Sequence, residues 1–311
     1  MSKYLDNNEM FLEPTTNQYG SHMVMTNVMK PTKTKYINID TRFRDEYSST
    51  ALVNYTVTLP ERINDVKSVQ VSNVEIPNTI YNISSNNNNN IIKIVERGEP
   101  DVIHMIVLPD DNYDSAKLIS TLSSKILQQV STDLNIEIDT ATNKCKFSTS
   151  SQTNEYTIEF AVDSTGSLDK HSPRSKLGWL LGFRNITYIL NKMTTPIVAE
   201  SFVDLNGSRY LYLAIDEFSK GNQNSFLSPL SKSFINKNIL ARISNNLINS
   251  IPVFGSVNSA NRRVGTLVSD HRRYTGKTDL QKLNIQLLNE YGNPVDLNGM
   301  DFSFCLEVEY E

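Results

Sequence analysis

Three stretches of this sequence come close to known chemistry, and each fails on a specific residue. His271-Arg272-Arg273-Tyr274-Thr275-Gly276-Lys277-Thr278 ends like a phosphate-binding loop, in which backbone N–H groups and a lysine cradle phosphates at a helix N-terminus. The first required glycine is His271 here, no long helix follows, and the hydrophobic run ending at Asp216 comes before it instead of after. Nucleotide hydrolysis is therefore not expected. Asp110, Asn112 and Asp114 match the first ligand positions of a calcium loop, yet Ser115 stands where glycine is needed and Thr121 where a bidentate glutamate is needed. Asp114 reads instead as a helix N-cap, its carboxylate meeting unpaired N–H groups and the positive end of the dipole.

The remaining reactive side chains do not cluster. His22, His104, His171 and His271 are scattered, without HxH or HExxH spacing, and Cys145 and Cys305 lie far apart without CxxC partners. Both cysteines read as reduced, buried thiols. Glu307 and Glu309 alternate with Leu306 and Val308, so they belong to the outer face of a strand and not to a general acid/base pair. No catalytic residue, metal site or cofactor is expected, and the chain is not expected to be an enzyme.

One local charge anomaly stands out. Arg262, Arg263, Arg272, Arg273 and Lys277 oppose Asp270 alone, and the bland reading is a solvated loop. The sharper one is a contact to an acidic neighbour or phosphate, since arginine pairs bidentately with either. Over 311 residues, 30 Lys+Arg against 34 Asp+Glu leave a net charge of −4. No global field draws this chain onto nucleic acid or anionic lipid. Neither a signal peptide nor a membrane span is expected, and the four glycosylation sequons read as chance in an Asn-rich chain.

The elements that would position these residues are mostly short β-runs. Residues 1–34 mix Asn, Thr, Met and isolated aromatics without a period of 2 or 3.6, and are expected to be a flexible arm. Its sticky residues Phe11, Leu12, Met23, Val24 and Met25 are candidates for contact with another subunit. YINID (36–40), NYTVTLP (54–60) and SVQVSNVEIP (68–77) follow, with Pro60 and Pro77 expected to end two strands. In the third run the alternation shifts after Val71, which predicts a bulge or a second buried face.

IIKIVE and VIHMIVLP read as a hairpin around Arg97-Gly98. After Asp114, Leu118, Leu122, Ile126 and Val130 mark an amphipathic helix, widened by Ile119 and Leu127. NIEID, KCKFST and EYTIEFAV continue the strands, Leu177 to Phe183 reads as a buried turn of helix, and seven further strands fill the last third. Strand after strand without alternating helices predicts an all-β protein. The expected fold is an antiparallel β-sandwich of single jelly-roll type, over 35–311, with insertions and one amphipathic helix. An inserted subdomain is expected around 85–195.

Tyr36 to Asp45 (YINIDTRFRD), the strand into Leu59-Pro60, Val69 to Pro77 and Tyr81-Asn82 resemble the opening of jelly-roll capsid proteins of large double-stranded DNA viruses and virophages. The resemblance continues through Asn112-Tyr113, the Leu-Gly-Phe ending at Phe183, Leu288 to Gly292 and Asp301 to Phe304. It implies a non-enzymatic component of an icosahedral capsid. The first reading is the penton protein at the fivefold vertex, and the second a minor (cement) capsid protein beneath or between capsomers. It further implies a homopentamer as partner, contacts to the major capsid protein and other capsid proteins, and residence in the virion after assembly in host cytoplasm. A competing reading is a jelly-roll module that binds a glycan or host receptor through aromatics such as Tyr210, Tyr212 or Tyr274. A third, an enzyme on a β scaffold, lacks its residues.

Overall fold

The computed structural model describes residues 31–44, 53–218, 227–229, 234–235, 238–245 and 254–311. The first strands are β1 (Lys33–Asp40), β2 (Asn54–Pro77), β3 (Ile91–Glu96) and β4 (Val102–Val107), followed by helix α1 (Ser115–Gln129). Then come β5 (Leu134–Asp139), β6 (Lys144–Thr149), β7 (Tyr156–Glu159), helix α2 (Leu177–Leu180), β8 (Thr187–Leu190) and β9 (Ile197–Val198). The last third holds β10 (Tyr210–Asp216), β11 (Ser228–Pro229), β12 (Phe234–Ile235), β13 (Ile239–Ser244) and β14 (Val257–Asn261). It closes with β15 (Leu267–Ser269), β16 (Arg272–Leu288) and β17 (Ser303–Tyr310).

An eight-stranded sheet runs in the order β1-β17-β2-β16-β10-β13-β15, with β14 also on β2. A four-stranded sheet (β4-β3-β7-β8), a three-stranded sheet (β5-β6-β9) and the β11-β12 pair accompany it, and among the described residues the strands pair antiparallel. The fold is an all-β, antiparallel sandwich of jelly-roll type.

The alternation in each run decides which side chains go inside. Val66, Val71, Val74, Leu211, Leu213, Ile285, Leu287, Phe304 and Leu306 meet in one core inside the large curled sheet. A second core lies between Ile83 and Leu205 in the chain, where Ile92, Ile94, Phe147, Ile158, Phe160 and Phe183 pack with α1. Asp114 caps that helix by accepting from the Lys117 N–H at 2.8 Å, and Leu118, Leu122 and Ile126 are its buried stripe. Leu127 does not widen the stripe: it is exposed, because nine residues at 3.6 per turn carry it to the side opposite Leu118.

Pro60 does not end a strand. β2 runs unbroken from Asn54 to Pro77. Its register against β16 slips between Leu280↔Ile63 and Lys282↔Thr58, so Pro60 falls where the ladder asks no N–H of it. The bulge expected after Val71 is there. β17 pairs Cys305 with Asn73 and Leu306 with Val71, leaving Ser72 as the extra residue.

Leu177 to Phe183 folds as the expected buried turn. Gly182 sits at φ +93, and a Cβ there would come within 2.2 Å of the Ser201 carbonyl oxygen. Only glycine fits both the backbone and the space.

Candidate assembly surface

The five cationic residues singled out in the sequence do not form one loop. Arg262 and Arg263 occupy the turn between β14 and β15, whereas Arg272, Arg273 and Lys277 lie on β16. Local hydrogen bonds fold that turn: Val264 N–H donates to Asn261 Oδ1 at 2.9 Å and Asn261 N–H to Thr266 Oγ1 at 3.1 Å. Gly265 supplies the left-handed residue at φ +78. The turn holds both arginines in solvent next to exposed Val264, and exposed Val257 and Val268 lie on the strands it joins. Cation and apolar surface thus share one edge of the large sheet.

Arg272 leaves this group. On β16 successive side chains alternate, which turns Arg273 outward and Arg272 and Tyr274 inward. The Arg272 side chain is 1% exposed and meets Glu217, itself 2% exposed, at 2.8 Å. It also donates to the carbonyl oxygens of Ile215 and Asn238. Burial, reinforced by the Glu217 charge, pushes the Tyr274 phenol well above its ordinary pKa. Arg272 is therefore spent inside the subunit. Lys277 is exposed and stands 3.6 Å from Asp65.

The arm residues Phe11, Leu12, Met23, Val24 and Met25 lie outside the described residues. Next to where the arm joins, a groove of about 340 Å³ runs between β1 and the first half of β2. Its floor is Ile37, Ile39, Val57, Leu59 and Ile63, with Tyr36 and Phe43 at the rim. Lys35 and Glu61 close one end with an ion pair at 2.9 Å. Strand periodicity in the sequence could show that Tyr36 and Ile37 face opposite ways. It could not show a cavity along their strand's edge.

Reactive groups are placed as follows. Among the described residues, no three His, Cys, Asp or Glu side chains converge as a metal set would. Cys145 is buried, its thiol pushed up to about 12 by loss of solvent, while Cys305 is only half-buried, on the outer side of β17. Strand pairing brings Ser68, His271 and Glu309 together, which the sequence did not announce. Ser68 Oγ lies 3.0 Å from His271 Nδ1 but donates to Glu309 at 2.7 Å. The carboxylate already accepts the hydroxyl's hydrogen bond, so the imidazole is not poised to activate Ser68 as a nucleophile.

The aromatics expected to stack on sugars are not free to do so. Tyr212 and Tyr274 are buried, and the Arg242 guanidinium covers the Tyr210 ring at 4.2 Å.

No known protein family matches this sequence, and no curated protein matches it. Among solved structures, the penton protein of mavirus is similar over 90% of this chain and 100% of its own, with a TM-score of 0.42 and 9% identity. At that score the likeness carries no weight for family or function.

Proposed function

We propose that this chain is a non-enzymatic structural subunit of an icosahedral virus capsid, with the penton protein at the fivefold vertex as the first reading. The observation that carries it is exposed apolar side chains on strands that, among the described residues, end their sheets. Tyr36 on β1 is 64% exposed, Ile103 on β4 is 60% exposed, and Val268 stands out from β15. These three strands are the outermost of their sheets. A sheet edge that must stay alone is usually blunted with charge or proline, and apolar edges suit a subunit whose neighbours cover them. The resemblance to jelly-roll capsid proteins, which touches most of residues 36 to 311, supplies the capsid as the assembly.

On this reading the chain's partners are further copies of itself, as a homopentamer, and the major and other capsid proteins. Its place is the virion, after assembly in host cytoplasm. Arg262 and Arg263, joined by Arg273 and Lys277, meet an acidic neighbouring surface. Residues 85–195 form an insertion, a reading supported by the separate core around α1. A cement protein between capsomers would use the same edges, without a closed ring. Negative-stain images of the purified protein test the reading: fivefold rings are expected, and single unassociated particles at every concentration would overturn it.

A further inference from the structure

The groove between β1 and β2 is touched by Lys35 to Asp40 without a gap and by Val57 to Glu61 without a gap. Neighbouring residues of a strand point to opposite faces, so a cavity that meets all of them runs along the strands' edges and not over one face. The pairing agrees. Among the described residues β1 pairs only with β17, and the Asn54 to Ile63 part of β2 only with β16. Among the described residues, each strand presents an unpaired edge to the groove. Six residues of β1 at about 3.4 Å each give a slot about 20 Å long, the reach of one added strand.

Tyr55 gives an independent sign that something belongs there. It lines the groove, is 8% exposed, and its hydroxyl is buried with no hydrogen-bond partner among the described residues. A buried hydroxyl left unpaired costs free energy, and a backbone group in the slot would recover it once the ring turns the hydroxyl toward the groove. The apolar floor and the exposed Tyr36 and Phe43 at the rim suit an uncharged, extended segment.

We propose that residues 23–29 of a second copy of this chain fill the slot as an added strand, so that neighbouring subunits exchange arms. Residues 21–29 (SHMVMTNVM) contain no Asp, Glu, Lys or Arg. As a strand they set Met23, Met25, Asn27 and Met29 on one side and Val24, Thr26 and Val28 on the other. Methionine fills irregular apolar gaps, and Val and Thr favour extended backbone. The arm joins β1 through Pro31-Thr32. A tight hairpin back onto its own β1 would place Pro31 first in a two-residue loop, where φ must be positive, and proline is locked near −65°. The arm could therefore return to its own slot only through a longer loop, whereas a neighbour's slot asks for no such return. This deepens the assembly reading above and depends on it for the supply of neighbours.

The test is site-directed cross-linking of full-length chains carrying Cys305→Ser, with buried Cys145 left in place. Chains bearing Met25→Cys and chains bearing Asn38→Cys are co-expressed and oxidised. A covalent heterodimer, bridged between position 25 of one chain and position 38 of the other and released by reductant, is expected. Ile103→Cys in place of Asn38→Cys should give none. If only the doubly substituted chain closes, within itself, the arm serves its own subunit and the exchange is overturned. No bridge in either format overturns it as well and leaves the slot to another segment, such as residues 45–52.

Tyr55→Phe supplies the second readout. It should weaken self-association of the full chain by about 2- to 12-fold, the span of one ordinary hydrogen bond, and leave the melting temperature of a chain lacking residues 1–30 unchanged or raised. A lowered melting temperature in the truncated chain would show that the hydroxyl serves its own subunit. An oligomer that survives removal of residues 1–30 would sink arm exchange while leaving the capsid reading standing.

Discussion

Arg272 on β16 and Glu217, one residue past β10, form an ion pair at 2.8 Å with both side chains almost completely enclosed, although they are 55 positions apart in the chain. The Arg272 guanidinium, on β16, ties the end of β10 and the start of β13 together through the carbonyl oxygens of Ile215 and Asn238. Replacing the pair by apolar residues of similar volume is often neutral, whereas removing one partner strands a buried charge.

Arg272→Leu or Glu217→Leu alone should therefore cost about 3–5 kcal/mol in urea unfolding. The double Leu variant should recover most of that loss. Additive losses in the double variant would show that the two residues act separately.

Glycines separate strain from crowding. Gly182→Ala combines a left-handed φ with a clash on the Ser201 carbonyl, whereas Gly265→Ala meets nothing within 4 Å. The second should lose only about 1–2 kcal/mol, the cost of the left-handed backbone. The first should lose more, or yield no soluble protein. Equal melting temperatures would contradict this packing.

A pH effect should come from Asp139. Its hydrogen bond to Lys146, helped by the Ala141 N–H, lowers its pKa to about 2. A carboxyl depressed in the fold stabilises above its unfolded pKa, about 3.9, and that contribution fades as pH falls through 2. Asp139→Asn should thus lower the melting temperature at pH 7 and make little difference near pH 2. The same difference at both pH values would contradict the pairing.

Arg262→Glu with Arg263→Glu changes two solvent-held side chains, so thermal stability should stay within about 0.5 kcal/mol. Self-association should weaken, and weaken less at high salt, where screening has already removed the attraction. Association that matches the unsubstituted chain would remove this turn from the interface.

Much of the fold was legible because it follows from local rules. Asp114 as cap, Leu118, Leu122 and Ile126 as stripe, the hairpin around Arg97-Gly98 and the bulge near Ser72 each depend on residues within a few positions. The errors share a different cause. Pro60 is tolerated because of where β16 slips, and Arg272 is inside because Glu217 waits just past the end of β10. Tyr274 looks available until the large core closes around it, and Tyr212 until Ala214, Ile239, Leu288 and Ser228 do. The groove is likewise a property of two strand edges that pairing leaves facing each other, and alternation within either strand is silent about it.

The central claim is self-assembly into a closed ring, and the mass of the purified full-length protein by light scattering behind size exclusion tests it most directly. The account predicts a species of about five times 35.2 kDa that falls to single subunits when residues 1–34 are removed. A monomer at every concentration, with and without those residues, would contradict it.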